Sequence, residues 1–324
     1  MAIRYHNTSA FTLNLPLVRA FVASKCQSRR SLDFFFQTEH NLVLPGGRDL
    51  TPADQIGVVP SIFGDDELYR VRIFRRRMYY SSDVIVEYNR PNIKNIELSG
   101  ALPPEIRKKI VYAPSIPFAY DNGTSRALPL ITNVISESEP RRAAMLDRLR
   151  DTFAEFRNVQ GIYDPRGLRD LYSSTKVLVN FHQTLHHHSI EEFRVLPALS
   201  RGCLVISEDV PLCEEIPYHE YVLWCRYDEI PAYADEVLRN YDRYFAMIHG
   251  EGSTLRAALD EMKREFGRSL AAVLADDELF GAAAVAKRRV LRGIDTFRST
   301  KSFALIPAVR RRARKAMTWR ASPT

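Results

Sequence analysis

Four of the eight histidines of this 324-residue chain lie within seven residues, at His182 and at His186 to His188. Imidazole titrates near neutral pH and can donate to a hydroxyl or a phosphate. This favours a catalytic or ligand-contacting role for His182, His186 or His188. A zinc site is a second interpretation, but three consecutive loop histidines converge poorly on one ion, so no metal site is predicted. The third interpretation is a surface loop without a site, in which one histidine forms its hydrogen bonds within the protein core.

A helix is predicted directly after these histidines. Ser189 is followed three residues later by Glu192, the spacing of a capping box, so the helix is expected to start at Ser189 and to run over residues 189–200. The apolar residues of this segment face the core, which leaves Glu191 and Arg194 on a more polar flank. The histidines would then lie immediately before a helix N-terminus.

A second candidate site is the segment 136–142, which leads from a predicted strand into a predicted helix. Free N–H groups at a helix N-terminus favour anions, and the guanidinium fork of Arg141 or Arg142 matches phosphate geometry. Both arginines would then neutralise a diphosphate. The alternative is that they point to solvent beside Glu137 and Glu139.

The second half of the chain predicts a parallel sheet that would bring these segments together. Apolar strands at 128–135, 177–181, 203–207 and 221–225 alternate with helices at 140–156 and 189–200. Ligands bind beyond the carboxyl ends of such strands, where Arg141, His182 and Glu208 are found. Glu208 could accept from ribose hydroxyls or cap the next helix.

The first half is less regular. Leu68, Val71, Phe74 and Met78 recur every three or four residues, which predicts a helix over residues 65–80. Strands are predicted at 83–88 and 108–116. The polar segment 118–127 is predicted to link two lobes.

The net charge of +7 is unevenly distributed. Residues 287–324 hold 12 Lys and Arg against one Asp, so the preceding 286 residues are mildly acidic, which argues against a protein with a uniformly basic nucleic-acid surface. Because the tail mixes basic and apolar residues, it is predicted to contact an anionic membrane surface. Nucleic acid is the second candidate partner, and a solvated tail is the alternative.

Other features favour the cytoplasm. No apolar run is long enough to span a bilayer, and residues 1–21 lack the apolar core of a signal peptide. The four cysteines form no C-x-x-C pair, which fits a reducing compartment.

Two segments, 178–182 and 191–208, resemble the donor-binding half of GT-B glycosyltransferases, in particular the group-1, family-4-like enzymes and their CgeB-like relatives. The resemblance covers about residues 128–240. It rests on a helix with a small-x-Gly ending, Ser200 to Gly202, that leads into the strand Val205-Ile206-Ser207. It implies an α/β, GT-B-like fold of two Rossmann-like lobes, with a short N-terminal lobe and a parallel-sheet C-terminal donor lobe.

The resemblance also implies boundaries and residue roles. The N-terminal acceptor-side lobe would span residues 1–120, the nucleotide-sugar-binding lobe 128–290 and the basic tail 291–324. Donor-binding candidates are Arg141, Arg142, Ser189, Glu192, Arg194 and Glu208. Catalytic candidates are His182, His186, His188 and Glu191. On the acceptor side, Tyr88, Asn92 and Asn95 are suited to bonding sugar hydroxyls, and an Asn/Pro turn with self-capping side chains is the alternative.

The chain departs from the family pattern at its two glutamates. Alignment on Ala198 and Gly202 places Ser189 and Pro197 at those positions, so Glu191 or Glu192 would have to substitute for them. The function implied is metal-independent transfer of a sugar from a nucleotide diphosphate-sugar to a glycan or lipid-linked acceptor, with no other cofactor. The alternatives are a catalytically degenerate module that binds a glycan or a partner protein, and a nucleotide-sugar epimerase.

Overall fold

Two parallel β-sheets, one in each half of the chain, organise the fold. The computed structural model describes residues 3–9, 12–25, 31–43, 55–60, 68–123, 125–133, 137, 139–183, 189–276 and 279. Each sheet forms a lobe with helices packed on it, and the two lobes share one hydrophobic core where they meet. The predicted fold class, α/β with two Rossmann-like lobes in a GT-B-like arrangement, is confirmed.

The N-terminal lobe contains, in chain order, β1 (Ile3–His6), α1 (Leu15–Lys25), β2 (Leu32–Gln37), β3 (Leu42–Val43), β4 (Gln55–Pro60), β5 (Leu68–Arg72), α2 (Arg76–Ser81), β6 (Val84–Glu87), α3 (Arg90–Ser99), α4 (Pro104–Arg107) and β7 (Ile110–Tyr112). The main sheet has the order β1-β2-β6-β7 and is parallel throughout. Phe34 and Phe36 are buried on one face and Phe35 on the other, as expected for a strand covered on both sides.

The prediction of a helix over residues 65–80 in this lobe is wrong in its first half. Residues Leu68–Arg72 form β5, which pairs antiparallel with β3 and β4 in a small second sheet, and only Arg76–Ser81 are helical. A strand followed by a short helix can place apolar residues at the same spacing as one continuous helix, so the periodicity alone did not separate the two.

The C-terminal lobe contains β8 (Leu128–Thr132), α5 (Pro140–Thr152), β9 (Arg157–Asn158), α6 (Pro165–Ser173), β10 (Thr175–Asn180), α7 (Glu192–Ser200), β11 (Leu204–Glu208), β12 (Leu223–Cys225), α8 (Ile230–Arg239) and α9 (Tyr241–His249), and α10 (Leu255–Ala275) follows it in the chain. Its sheet has the order β12-β11-β10-β8-β9, and all neighbouring strands are parallel. The strand order reverses between β8 and β10, and a crevice for ligands forms at such a switch point.

Helix α7 begins three residues later than predicted. The capping box at Ser189 does not form, because the Ser189 hydroxyl donates to Asn92 and the Glu192 carboxylate accepts from groups outside the helix. The end of the helix is as predicted, since Gly202 stops it with a φ of +76°.

Helix α10 follows the C-terminal lobe in sequence but packs on the N-terminal lobe. Phe266 and Leu270 lie in the same core cluster as Val18 and Val22 of α1, and the Phe21 and Phe266 rings are 5.8 Å apart. The boundaries expected from the sequence placed this segment with the C-terminal lobe. The chain therefore passes between the lobes twice, first after β7 and again after α9.

Candidate functional site

A cleft with a volume of about 440 Å³ lies between the two lobes. It sits at the carboxyl ends of β1, β2 and β6 in the N-terminal lobe and of β8 and β9 in the C-terminal lobe, the edge at which parallel sheets bind ligands. Its lining comprises Asn7, Thr8, Ser9, Leu13, Thr38, Glu39, His40 and Tyr88 from the N-terminal lobe, and Asn133, Val159, Gln160, Gly161, Ile162, Tyr163, Leu168, Tyr172, Glu191, Phe193 and Arg194 from the C-terminal lobe.

A buried hydrogen-bonded cluster forms one end of this cleft. Glu191 accepts from the Asn180 amide at 2.9 Å, and the same amide group donates to Ser207. Arg194 donates to Oδ1 of the Asn180 side chain at 2.8 Å. Nδ1 of His182 lies 3.2 Å from Oε1 of Glu191. Asn180, the last residue of β10, thus fixes the carboxylate and the guanidinium relative to each other.

The charges in the cluster stabilise one another. Burial alone would lower the pKa of His182, but the facing Glu191 carboxylate outweighs burial and raises the pKa above the ordinary 6.5. Burial works against ionisation of Glu191, yet His182, Arg194 and His40 hold the pKa of its carboxyl well below the usual range. Each member of the pair therefore favours the charged form of the other. Nε2 of His182 is buried and has no hydrogen-bond partner among the described residues.

Arg142 lies in the first turn of α5, near enough to Arg194 for the two charges to interact. Its side chain is buried, and burial together with the charge of Arg194 lowers its pKa from 12.5 to about 10. Its Nε has no hydrogen-bond partner within the described part of the chain. Two guanidinium groups and the N-terminus of a 13-residue helix thus concentrate positive charge at the switch point of the sheet.

Arg141, the other predicted phosphate contact, already has protein partners. It forms two hydrogen bonds with the Glu208 carboxylate, one of them 2.9 Å long, and donates to the carbonyl oxygen of His182 at 3.1 Å. Its guanidinium lies 3.7 Å from the centre of the Tyr227 ring. Glu208 in turn accepts from the backbone N–H of His182. The two strand-end loops are therefore held together by Arg141 and Glu208.

Glu192 is turned away from the cleft, into the junction between the lobes. Its carboxylate accepts from the Tyr112 hydroxyl at 3.0 Å, the Ser115 backbone N–H at 3.1 Å and the Tyr218 hydroxyl at 3.3 Å. Burial raises its pKa to about 8, although these hydrogen bonds oppose the shift. Of the two glutamates proposed to replace the family's carboxylates, only Glu191 lines the cleft.

The three acceptor-side candidates divide in the same way. Tyr88 lines the cleft and stacks on Phe193, with ring centres 4.6 Å apart and planes 16° from parallel. Asn92 is fully buried: its oxygen accepts from Ser189 and its amide donates to the Glu39 carbonyl oxygen at 3.1 Å. The Asn95 amide donates to Asn41. Asn92 and Asn95 therefore do not line the cleft, and their hydrogen bonds hold the segments behind its wall.

Several lining residues had no signal in the sequence. Glu39 and His40, which line the cleft, and Asn180, which holds Glu191 and Arg194, lie in segments whose periodicity carried no functional pattern. Asn7 has a left-handed backbone with φ of 59°, which only the structure reveals. The strand-end rule would have found Asn180 and Asn7, because each is the last residue of a strand or the first after one.

Other predicted features lie outside the described residues. These are His186, His188 and the basic tail at 291–324. In the part of the chain that the structure describes, no group of three or more His, Cys, Asp or Glu side chains could hold a metal ion. No helix in that part is both long and apolar enough to cross a bilayer.

Comparison with known proteins gives distant similarities. No protein-family model matches the chain. Uncharacterized protein R358 of Acanthamoeba polyphaga mimivirus is 27% identical over 114 residues, which are 34% of this chain and 39% of that protein. This chain therefore matches well under half the length of that relative.

Among solved structures, Anabaena HepE (Alr3699) in complex with UDP-glucose aligns over 83% of this chain and 78% of its own, with a TM-score of 0.46 and 7% identity. A point mutant of S. aureus TarM in complex with fondaparinux, alpha-GlcNAc-glycerol and UDP aligns over 78% and 53% of the two chains, with a TM-score of 0.45 and 9% identity. AviGT4, a glycosyltransferase of avilamycin A biosynthesis, aligns over 79% and 89%, with a TM-score of 0.36 and 14% identity. The fold assignment rests on the sheet topology described above, since these scores are below 0.5.

Proposed function

We propose that this chain is a glycosyltransferase that moves a sugar from a nucleotide diphosphate-sugar to a hydroxyl-bearing acceptor. The observation that carries the proposal is the positive charge at the end of an interlobe cleft, where Arg194 lines the cleft and its charge acts on the buried Arg142. Two like charges in a low-dielectric site repel each other; Glu191 offsets part of this repulsion, and a bound anion would offset more of it.

The positive charge is concentrated where a leaving diphosphate would need it. As the glycosidic bond to the donor breaks, negative charge develops on the diphosphate, and preorganised donors stabilise it without a metal ion. Arg194 lines the cleft, and Arg142 in the first turn of α5 adds a second positive charge that interacts with it. The unpartnered Nε2 of His182 is a further donor toward the donor sugar or its phosphate.

Glu191 supplies the carboxylate that the aligned position of Pro197 lacks. It lines the cleft, is ionised, and is held by Asn180 and His182. A carboxylate in this setting accepts from sugar or ribose hydroxyls. The neighbouring Glu192 has a structural role between the lobes, so Glu191 is the carboxylate that would contact the donor.

Calorimetry with UDP and GDP, followed by hydrolysis assays with a panel of nucleotide sugars, tests this proposal. The wild type is expected to bind one of the two nucleotides, and Arg142→Ala to weaken that binding at least about tenfold because a positive charge beside the phosphate site is lost. Arg148→Ala is the matched control, since Arg148 lies on the exposed side of the same helix. This variant is expected to bind the nucleotide as tightly as the wild type.

Two outcomes would overturn the proposal. Failure of the wild type to bind either nucleotide or to hydrolyse any nucleotide sugar would favour the degenerate glycan- or partner-binding module. Conversion of the nucleotide sugar into an epimer without any acceptor would show the epimerase instead.

The basic tail at 291–324 is proposed to hold the enzyme at the cytoplasmic face of an anionic membrane. Its support is compositional: residues 287–324 hold 12 Lys and Arg against one Asp, interspersed with apolar residues. Removal of the residues after Phe303 is expected to abolish sedimentation with phosphatidylserine vesicles. Unchanged sedimentation would exclude this role.

A further inference from the structure

Two asparagines at the start of α3 hold the segment that precedes α7. Asn89, the residue before α3, donates through Nδ2 to the carbonyl oxygen of Ile190 at 2.9 Å. Asn92, in the first turn of α3, accepts through Oδ1 from the Ser189 hydroxyl at 2.9 Å. We call Asn89 and Asn92 the clasp, because they belong to the N-terminal lobe and bind two consecutive residues of the C-terminal lobe.

We infer that the clasp positions Glu191 against the N-terminal wall of the cleft, and that it thereby favours transfer of the sugar to an acceptor over its loss to water. Both asparagines are positioning residues, since they act through Ser189 and Ile190. This inference rests on the proposed function and concerns the step in which the acceptor takes the sugar.

The first support is that Asn89 does not cap its own helix. An asparagine at this position ordinarily accepts from a backbone N–H of the first turn. Asn89 forms no such bond, and its side-chain oxygen has no hydrogen-bond partner among the described residues. Its amide instead donates across the junction between the lobes. The side chain is therefore placed for the contact with Ile190 rather than for the stability of α3.

The second support is that the orientation of the Asn92 amide is fixed within the N-terminal lobe. Nδ2 donates to Oε1 of Glu87 at 2.9 Å and to the carbonyl oxygen of Glu39 at 3.1 Å. Oδ1 accepts from the backbone N–H of Asn41 at 3.3 Å, so it faces the Ser189 hydroxyl as an acceptor. Because Glu87 ends β6, an inner strand of the main sheet, Asn92 connects that sheet to the start of α7.

The third support is burial. Asn89, Asn92, Ser189 and Ile190 each have 1% or less of their surface exposed. Water cannot replace a hydrogen bond in such a place, so removing one partner leaves the other unsatisfied. The clasp therefore restricts movement of this segment more strongly than the same bonds would at the surface.

Glu191 follows the two clasped residues directly. Its side chain is held on the C-terminal side by Asn180 and His182, whereas the backbone just before it is held by the N-terminal lobe. Phe193, two residues further on, stacks on Tyr88 of the opposite wall. Glu191 therefore lies where the two walls of the cleft are brought into register.

Transfer and hydrolysis place different demands on that register. In both reactions the bond from the anomeric carbon to the diphosphate breaks, a bond to an attacking oxygen forms, and the attacking oxygen releases its proton to solvent. Hydrolysis needs only the donor and a water molecule, which enters from many directions. Transfer also needs an acceptor hydroxyl held by the opposite wall at about 3 to 3.5 Å from the anomeric carbon, and a misplacement of about 1 Å lowers such a rate by about a hundredfold.

The ratio of transfer to hydrolysis tests the inference. With the nucleotide sugar that the wild type hydrolyses, both rates are measured in the presence of the methyl glycosides of glucose, galactose, mannose and N-acetylglucosamine. Ser189→Ala removes the hydroxyl that bonds Asn92, and Asn89→Ala removes the amide that bonds Ile190. Each variant is expected to lower the ratio at least about fivefold, and the double variant to lower it further.

Two matched variants serve as controls. Ser200→Ala removes the same hydroxyl at the other end of α7, where it donates to the Pro197 carbonyl oxygen of the same helix at 2.7 Å. Asn14→Ala removes a buried amide that donates to the Ala113 carbonyl oxygen at 3.0 Å, within the N-terminal lobe. Both should keep the wild-type ratio. Because the ratio does not depend on the fraction of protein that is folded, a loss of stability alone leaves it unchanged.

The outcomes separate the inference from the proposed function. A wild-type ratio in both single variants and in the double variant, or an equal fall in the two controls, would overturn the inference and leave the proposed function intact. The same holds for a wild type that hydrolyses its donor and glycosylates none of the four acceptors, since the clasp would then not favour transfer. A protein that binds no nucleotide would end both.

Discussion

Nδ1 of His182 lies 3.2 Å from Oε1 of Glu191, and both side chains are almost fully removed from solvent. The pair connects the end of β10 to the start of α7, the helix that carries Phe193 and Arg194 of the cleft lining. Because each group favours the charged form of the other, the pair affects both the stability of the protein and its electrostatic field at the cleft.

The first prediction concerns that pair. Glu191→Ala leaves a buried imidazole without its carboxylate and is expected to lower the free energy of unfolding by about 3 kcal/mol near pH 6. The pKa of His182 is raised in the folded protein, so this stabilisation is present below the ordinary 6.5 and is lost as the pH rises through the folded value. Urea unfolding of the wild type and of Glu191→Ala near pH 6 and near pH 9 measures the loss of stability and its pH dependence.

Titration of Glu191 itself lies below the pH range of this comparison. Glu191 has a lowered pKa, so its contribution is complete above the ordinary 4.5 and declines as the pH falls below that value. A deficit in Glu191→Ala that is the same near pH 6 and near pH 9 would contradict a buried ion pair.

The second prediction concerns Glu192. Its pKa of about 8 means that the folded protein retains a proton which the unfolded chain releases above the ordinary 4.5, so this carboxyl makes stability fall as the pH rises from 4.5 to 8. Glu192→Gln mimics the neutral form. It is expected to be more stable than the wild type near pH 8, with the gain vanishing near pH 4.

Glu192→Ala provides the contrast. It leaves the Tyr112 and Tyr218 hydroxyls and the Ser115 N–H without their acceptor, and is expected to cost about 2 kcal/mol or more at any pH. Thermal unfolding of the three proteins across the pH range distinguishes these effects. A Glu192→Gln protein less stable than the wild type near pH 8 would refute the assignment.

The third prediction sets stability against binding at Arg142. Arg142→Met replaces a buried guanidinium, destabilised by burial and by Arg194, with an apolar side chain of similar length. It is expected to raise the free energy of unfolding of the ligand-free protein by about 1 to 3 kcal/mol while nucleotide binding is lost. Differential scanning calorimetry and titration calorimetry on the same preparation measure the two. A less stable variant would indicate that Arg142 serves the fold instead.

The fourth prediction compares two glycines. Gly202 and Gly100 both have positive φ, +76° and +61°. A Cβ at Gly202 would lie 2.1 Å from the Arg126 guanidinium and 2.9 Å from the Asn122 Cα, whereas at Gly100 it would meet nothing within 4 Å. Gly100→Ala should cost about 1 kcal/mol from backbone strain alone.

Gly202→Ala is expected to cost clearly more than that. Arg126 donates to the carbonyl oxygens of Tyr172, Ser173, Thr175 and Arg201, and displacing it would break bonds that hold the segment after β7 to the C-terminal lobe. Denaturant unfolding of the two variants side by side measures the difference. Equal costs would show that Arg126 moves aside freely.

The C-terminal lobe was largely predictable from the sequence, for a physical reason. Strands such as Val177 to Val179 are buried on both faces, so they appear as unbroken apolar runs bounded by polar helix starts. The rule that ligands bind at strand ends selected the loops of Arg141, His182 and Glu208, and these three residues do contact one another. Their roles in catalysis and donor binding stay predictions.

The sequence could not show which way a side chain points or which residues it contacts. Glu191 and Glu192 are adjacent, yet one lines the cleft and the other joins the lobes, and this depends on packing between Tyr112 and Tyr218 that lie far away in sequence. In the same way, the apolar stripe of α10 shows that the helix is buried on one side. It does not say that the buried side meets Phe21 and Val22.

The return of α10 to the first sheet has a consequence for synthesis on the ribosome. The N-terminal lobe emerges first, but Phe266 and Leu270 complete its core and are translated more than 150 residues after β7. The C-terminal sheet, by contrast, is complete once β12 has emerged. The lobe that is made first therefore cannot close its core until α10 has been translated, and it exposes apolar surface meanwhile to chaperones and to neighbouring nascent chains.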